Sequence, residues 1–238
     1  MPSLIAENHL AAGFYAAGYL IGVAVFAGMA RRRRLSTMGV WLLSFAGLLG
    51  GLIGANLGQW LGSGGTESGK TILGGVLGGY VSVIVAKRVL GLRRPTGDLF
   101  AVALSAGEAV GRWGCFVGGC CYGKVCDVPW AIYQHGAFRH PTQVYLSAAA
   151  FLTLGVLIYL EWRRVLPENG LFYTQGVLLC GLRFVIEFYR EGHAVLLGLT
   201  TAQSACLVGV GVFGTLLYRL IRQPESKGGQ VTTHAPVY

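Results

Sequence analysis

The sequence predicts an all-α polytopic membrane protein, with seven transmembrane helices and a polar cavity open to the external side. Three observations lead there. Of 238 residues, 53% are hydrophobic and 12% are charged, about half the charged share of a soluble globular domain. The apolar residues fall into runs of about 20, the length that spans a hydrocarbon core. The formal charge of +9 is gathered into short clusters between those runs, which is the patterning of membrane topology and not of a nucleic-acid-binding face. The 38 glycines suit close helix packing in lipid.

The elements follow in order. Residues 10–30 form the first run. Arg31, Arg32, Arg33 and Arg34 stand where a signal peptide would carry a small-residue cleavage site, so this run is expected to remain as a span. The second and third runs cover 39–61 and 71–91, and each carries a glycine-rich stretch, GGLIGAN at 50–56 and GGVLGGY at 74–80. These read as two small-residue helix contacts. The fourth run, 98–117, contains Glu108 and Arg112, and the basic residues decide whether it counts as a span. With seven spans, the four arginines at 31–34, Lys87, Arg88, Arg93, Arg94, Arg163, Arg164, Arg219, Arg222 and Lys227 share one side, 13 residues in all, against Lys70, Lys124, Arg139 and Arg190 on the other, 4 residues. That is a positive-inside bias, and with six spans the later clusters would fall on the wrong side. The remaining spans are 143–160, 171–189 and 199–220. Pro141 after His140 favours a turn into the fifth, with Thr142 as its N-cap. Residues 1–221 are thus expected to form a single seven-helix domain, 118–142 an external loop, and 222–238 a polar, disordered cytoplasmic tail. The N-terminus is external and the C-terminus cytoplasmic.

Two arginines cannot be assigned to loops. Arg112 lies late in the fourth span and Arg183 late in the sixth. A charge at such a place costs at least about 2.5–3.5 kcal/mol on insertion scales. Each has a carboxylate four residues away, Glu108 for Arg112 and Glu187 for Arg183, which puts both members of a pair on one helix face. Both polar stripes come near the external ends of their spans and suggest one cavity with two guanidiniums, a natural receptor for a phosphate. His140, Gln143 and Tyr145, in RHPTQVY at 139–145, stand at the mouth of the same cavity as candidates for catalysis or ligand contact. Arg190 and Glu191 fall at the membrane exit and His9, His135, His193 and His234 in loops or termini, where they need no special role. No cofactor is expected. A transporter would place its site at the midplane between repeats, and this cavity lies near one face.

With GRWGCFVGGCCYG at 111–123, RHPTQVY at 139–145 and LRFVIEFYRE at 182–191, the chain resembles the prolipoprotein diacylglyceryl transferases over residues 13–220. YAAGYLIG at 15–22, NGLF at 169–172 and Gln203 fit the same pattern. The resemblance implies a seven-span bacterial inner-membrane enzyme. Such an enzyme moves diacylglycerol from phosphatidylglycerol to the lipobox cysteine thiol of a prolipoprotein and releases glycerol phosphate. It further implies functional roles for Tyr15, Arg112, Gly123, Arg183 and Glu187, with Arg112 and Arg183 gripping the phosphate. The chain departs from the family at four places: Leu73 replaces a histidine, Cys115 an asparagine, Cys120 a glutamate and Leu52 an arginine. Without the family histidine, His140 is the histidine left to act as base, and Glu108, Gln143, Tyr145 and Gln203 are the further substrate contacts. The rival expectation is a divergent relative that keeps the fold and not the reaction. It would be either a thiol-dependent transferase using Cys115 or Cys120 with another acceptor, or a non-catalytic phospholipid-binding protein.

The thiols admit three readings. In an oxidising compartment, disulfide formation is the default, and a bridge from Cys120 or Cys121 to Cys126 would pin the external loop. A metal site is disfavoured, because C-x4-CC-x4-C lacks the usual pairing of ligands, and none is expected. A catalytic thiol activated by Arg112 is the third. Cys180 and Cys206 fall inside spans and read as small core residues.

Overall fold

In the computed structural model, the described residues are 2–35, 37–62, 72–92, 94–192 and 198–222. Of the tail expected at 222–238, Arg222 ends the last helix and residues 223–238 lie outside the described residues, as do His193, His234 and the side chain of Leu73. The described residues form seven helices and one hairpin: α1 Pro2–Arg32, α2 Met38–Gly62, α3 Ile72–Val89, α4 Gly97–Val117, β1 Ile132–Gln134, β2 Ala137–Arg139, α5 Thr142–Arg163, α6 Gly170–Glu187 and α7 Thr201–Arg222. Each apolar run of the sequence is a helix. Among the described residues, four stretches are long and apolar enough to cross a membrane: His9–Arg32, Met38–Gly58, Thr142–Arg163 and Thr201–Arg222. Large apolar side chains point outward along these helices, with Leu20, Phe45, Ile53, Leu152 and Val208 all more than half exposed. A soluble protein rarely exposes so much contiguous apolar surface, and a membrane protein turns it to lipid.

The chain divides into two compact units, residues 1–24 with 100–238, and residues 25–99. In the second of these, α2 and α3 pack antiparallel through their two glycine runs. A Cβ on Gly50 would stand 2.7 Å from the carbonyl oxygen of Gly78, and one on Gly54 2.8 Å from the Gly78 Cα. The look-alike stretches are therefore the two halves of one contact. Glycines at the crossing let the backbones touch and leave room for the Ser82 side chain beside Gly50, so dispersion acts along the seam. Phe26 and Trp41 meet edge to face at 5.7 Å, and Ala30 and Leu43 are fully buried. The Arg33 guanidinium reaches the buried Asp98 carboxylate at 2.8 Å, tying the basic end of α1 to the first turn of α4.

In the larger unit, α4 is the central element. Its face of Ala101, Ala103, Ala106 and Ala109 is buried. A Cβ on Gly18 of α1 would stand 2.7 Å from the Gly107 carbonyl oxygen, so α1 and α4 also cross through small residues. The Ser147 hydroxyl of α5 donates to the Ala109 carbonyl, and the Gln175 amide of α6 donates to Ser105 at 3.3 Å. The hairpin β1–β2 pairs Ile132 with Arg139 and Gln134 with Ala137. Its turn residues, His135 (φ 51°) and Gly136 (φ 79°), are both left-handed, the requirement of a tight two-residue hairpin. The expected N-cap at Thr142 is not formed. Pro141 occupies that position with no side-chain cap, and Thr142 is the first helical residue. Its hydroxyl donates instead to the Cys121 carbonyl at 2.7 Å, because Cys121 passes directly in front of the helix.

Candidate functional site

The end of α4 sets the geometry. The Gly119 N–H donates to the Phe116 carbonyl at 3.3 Å, and the Cys120 N–H to the Cys115 carbonyl at 3.0 Å. Gly119 is left-handed, with φ 64°. This pair of bonds around a left-handed glycine is the Schellman motif, which sets the residue after the glycine against the residue five positions earlier. Those two residues are Cys120 and Cys115. Cys121 is also left-handed (φ 58°), uncommon for a residue with a side chain. The Sγ atoms of Cys115, Cys120 and Cys121 come within 4.8 Å of one another. Hydrogen bonding to Cys115 and burial hold the Cys121 thiol above its ordinary range. The Tyr15 hydroxyl completes the group, donating to Cys115 Sγ at 3.5 Å and lying 4.0 Å from Cys120 Sγ. Gly114 makes room for the Tyr15 ring, which a Cβ there would meet at 2.8 Å. Cys126 is a free thiol outside this group. Its N–H is held by the Phe138 carbonyl at 3.0 Å, so the expected partner of the loop bridge belongs to the hairpin.

One turn before Cys115, Arg112 makes a two-pronged contact with Glu108 Oε1, at 2.5 Å from Nη2 and 3.1 Å from Nε. On α6, Glu187 is shared. Arg183 approaches its Oε2 at 3.7 Å and Arg190 at 3.5 Å. Arg183 lies within electrostatic reach of both Arg112 and Arg190. Three guanidiniums thus stand among two carboxylates, and one positive charge is left without a carboxylate of its own. The Arg190 Nε is buried with no hydrogen-bond partner among the described residues. Arg190 was assigned no role from sequence, because it follows the end of the apolar run. Its i,i+3 spacing from Glu187 is the signal that could have found it.

The loop that carries these groups is fastened by backbone. The Gly123 N–H donates to the His140 carbonyl at 3.1 Å, the Lys124 N–H to the Tyr189 carbonyl at 2.9 Å, and the His140 N–H to the Lys124 carbonyl at 3.1 Å. A Cβ on Gly123 would collide with the Tyr189 carbonyl at 2.7 Å, so only glycine fits. Arg139 stacks on Tyr122 at 4.7 Å and donates to the Gly123 carbonyl at 3.2 Å. It also pairs with Glu191, which gives that carboxylate a part the sequence did not suggest. Gln143 is fully buried; its amide donates to the Cys120 carbonyl at 2.7 Å, while its Oε1 has no partner among the described residues.

His140 joins an aromatic group rather than the arginines. Its Nδ1 is 3.2 Å from the Tyr145 hydroxyl, which also accepts from the Trp130 indole at 2.7 Å. Its ring meets Tyr189 edge-on at 5.1 Å. Gln203 sits in the first turn of α7, where its Oε1 accepts from the Thr200 N–H at 2.9 Å and its own N–H donates to the Thr200 hydroxyl at 3.1 Å. That is a capping box, legible in sequence as T-x-x-Q. Cys180 and Cys206 adjoin each other between α6 and α7.

The fold is that of an all-α membrane protein, with Arg112, Arg183 and Arg190 gathered around Glu108 and Glu187. The family model for prolipoprotein diacylglyceryl transferase matches residues 9–219. The chain belongs to this family. It is 30% identical to a phosphatidylglycerol–prolipoprotein diacylglyceryl transferase of Polynucleobacter asymbioticus, over 92% of this chain and 95% of that one. It is also 30% identical to one of Azoarcus sp., over 95% and 97%. The relative from Acaryochloris marina is 31% identical over 68% of this chain, and the match spans 65% of that protein's length.

Proposed function

We propose that this chain transfers the diacylglyceryl group of phosphatidylglycerol to the lipobox cysteine thiol of a prolipoprotein, at the external face of the bacterial inner membrane. The observation that carries the reading is the set of Arg112, Arg183 and Arg190 around Glu108 and Glu187. A bidentate guanidinium pair matches a phosphodiester, and low-dielectric surroundings strengthen the attraction. The substrate thiolate attacks the glyceryl carbon that bears the phosphate oxygen. A carbon–sulfur bond forms, the carbon–oxygen bond breaks, and the electron pair leaves on glycerol phosphate. Arg112 and Arg183 bind the added negative charge as it develops. His140 takes the thiol proton through Nε2, since Nδ1 faces the Tyr145 hydroxyl. Tyr15 lies beside the path of the incoming thiol, and Gln143 and Gln203 shape the site through the backbone they hold.

Seven spans with the N-terminus outside are part of this reading. Basic residues end α1, α3, α5 and α7, the helices that would run inward. Expression in bacteria depleted of their own diacylglyceryl transferase tests the reaction. A reporter prolipoprotein is expected to gain the mass of one diacylglyceryl group, and Arg112→Ala to abolish the gain. No gain from protein shown to be folded in the membrane would overturn the reading. It would turn attention to a thiol-dependent transfer at Cys115 or Cys120, or to phospholipid binding alone.

A further inference from the structure

The three-thiol group at the end of α4 has no part in the proposed transfer, and its construction points to a ligand. We propose that Cys115, Cys120 and Cys121, with the Tyr15 hydroxyl as fourth donor, bind one thiophilic d10 cation of the zinc and cadmium class. The inference stands apart from the transferase reading and would survive its failure.

Geometry comes first. Zinc–sulfur bonds of about 2.3 Å place two sulfurs about 3.8 Å apart on a tetrahedral ion. The three sulfurs already lie within 4.8 Å of one another, so closure asks for about 1 Å or less. A tetrahedral oxygen ligand at about 2.0 Å stands about 3.5 Å from each sulfur, and the Tyr15 hydroxyl is at 3.5 Å and 4.0 Å from two of them. Support comes second. The carbonyls of Cys120 and Cys121 are held by Gln143 and Thr142, both fully buried, and the Schellman turn fixes Cys115 against Cys120. Ligands oriented by locked outer groups are the mark of a built site. Charge comes third. Three thiolates on a divalent cation leave one negative charge, and Arg112 lies within electrostatic reach of Cys115 and Cys121. Binding releases the thiol protons to solvent. The sequence expectation of no metal rested on C-x4-CC-x4-C lacking the usual paired halves of a ligand set; the turn at Gly119 brings three thiols together without them.

The test titrates the full chain, reduced and anaerobic in detergent, with Cd(II). Saturation at one ion per chain is expected, with the ultraviolet charge-transfer band of cadmium thiolate, and Zn(II) should displace it. Cys126→Ser should leave binding unchanged. Cys115→Ser, Cys120→Ser and Cys121→Ser should each weaken it at least about tenfold, and Tyr15→Phe measurably less. Alkylation of the wild-type chain decides the matter should a serine variant not fold: Cd(II) should protect Cys115, Cys120 and Cys121 and leave Cys126 reactive. The proposal is overturned by a folded, reduced chain with no saturable band, or by an undiminished band in C115S/C120S/C121S. It also falls if the thiols of the native chain resist alkylation until reduced and the reduced chain takes no Cd(II), the behaviour of a disulfide.

Discussion

At the scale of the residue, charge placement governs what the site can do. Glu187 serves two arginines, Arg183 and Arg190, so neither guanidinium is fully neutralised and both retain donors for a phosphate. Arg183→Lys keeps the charge but loses the planar fork. In a transfer assay with phosphatidylglycerol and a lipobox peptide, it is expected to slow turnover about 100-fold, the loss typical of one misplaced transition-state donor. Arg190→Ala is expected to raise the lipid KM more than it lowers kcat, since it removes attraction and not the attacking geometry. Wild-type kinetics in both variants would remove these groups from the proposed phosphate site. Arg112 and Arg183 were legible in the sequence because a charge inside an apolar run is visible without any fold. Arg190 was not, because its burial depends on the bridge between its backbone and Gly123. Gln203 forms a capping box that the local sequence already spells, and its Nε2 has no partner among the described residues.

At the scale of the element, glycine decides where helices meet and where they stop. Gly54 of α2 has no room for a Cβ against α3, whereas Gly28 of α1 has nothing within 4 Å of one. An alanine gains about 1 kcal/mol over glycine in a helix interior. Gly28→Ala is therefore expected to be neutral or stabilising. Gly54→Ala should destabilise by about 1–3 kcal/mol, as the backbones are forced apart. Thermal unfolding in detergent distinguishes the two, and equal shifts would mean that the α2–α3 seam does not depend on backbone contact. Six of the helices were readable from apolar run length, and the fourth from the placement of the basic clusters. The hairpin at 132–139 was passed over, because three-residue strands carry too little alternation to register, and only the His135–Gly136 turn announces it.

At the scale of the whole molecule, topology is the property to test. A phosphatase reporter that is active only outside the cytoplasm should be silent when fused after residue 222 and active when inserted at the 135–136 turn. The reverse pattern would invert the proposed orientation. By itself, the sequence determined the membrane class, the helices and the two arginines, because these depend on run length, net charge and the cost of placing a charge in hydrocarbon. Those quantities are sums over neighbouring residues and survive without knowledge of the fold. Only the tertiary structure decided that the two glycine runs face each other, that Arg190 joins Glu187, and that Cys115, Cys120 and Cys121 converge beside Tyr15 while Cys126 does not. Each of these depends on the direction a backbone takes at a turn or crossing, and a residue's identity does not fix what lies opposite it.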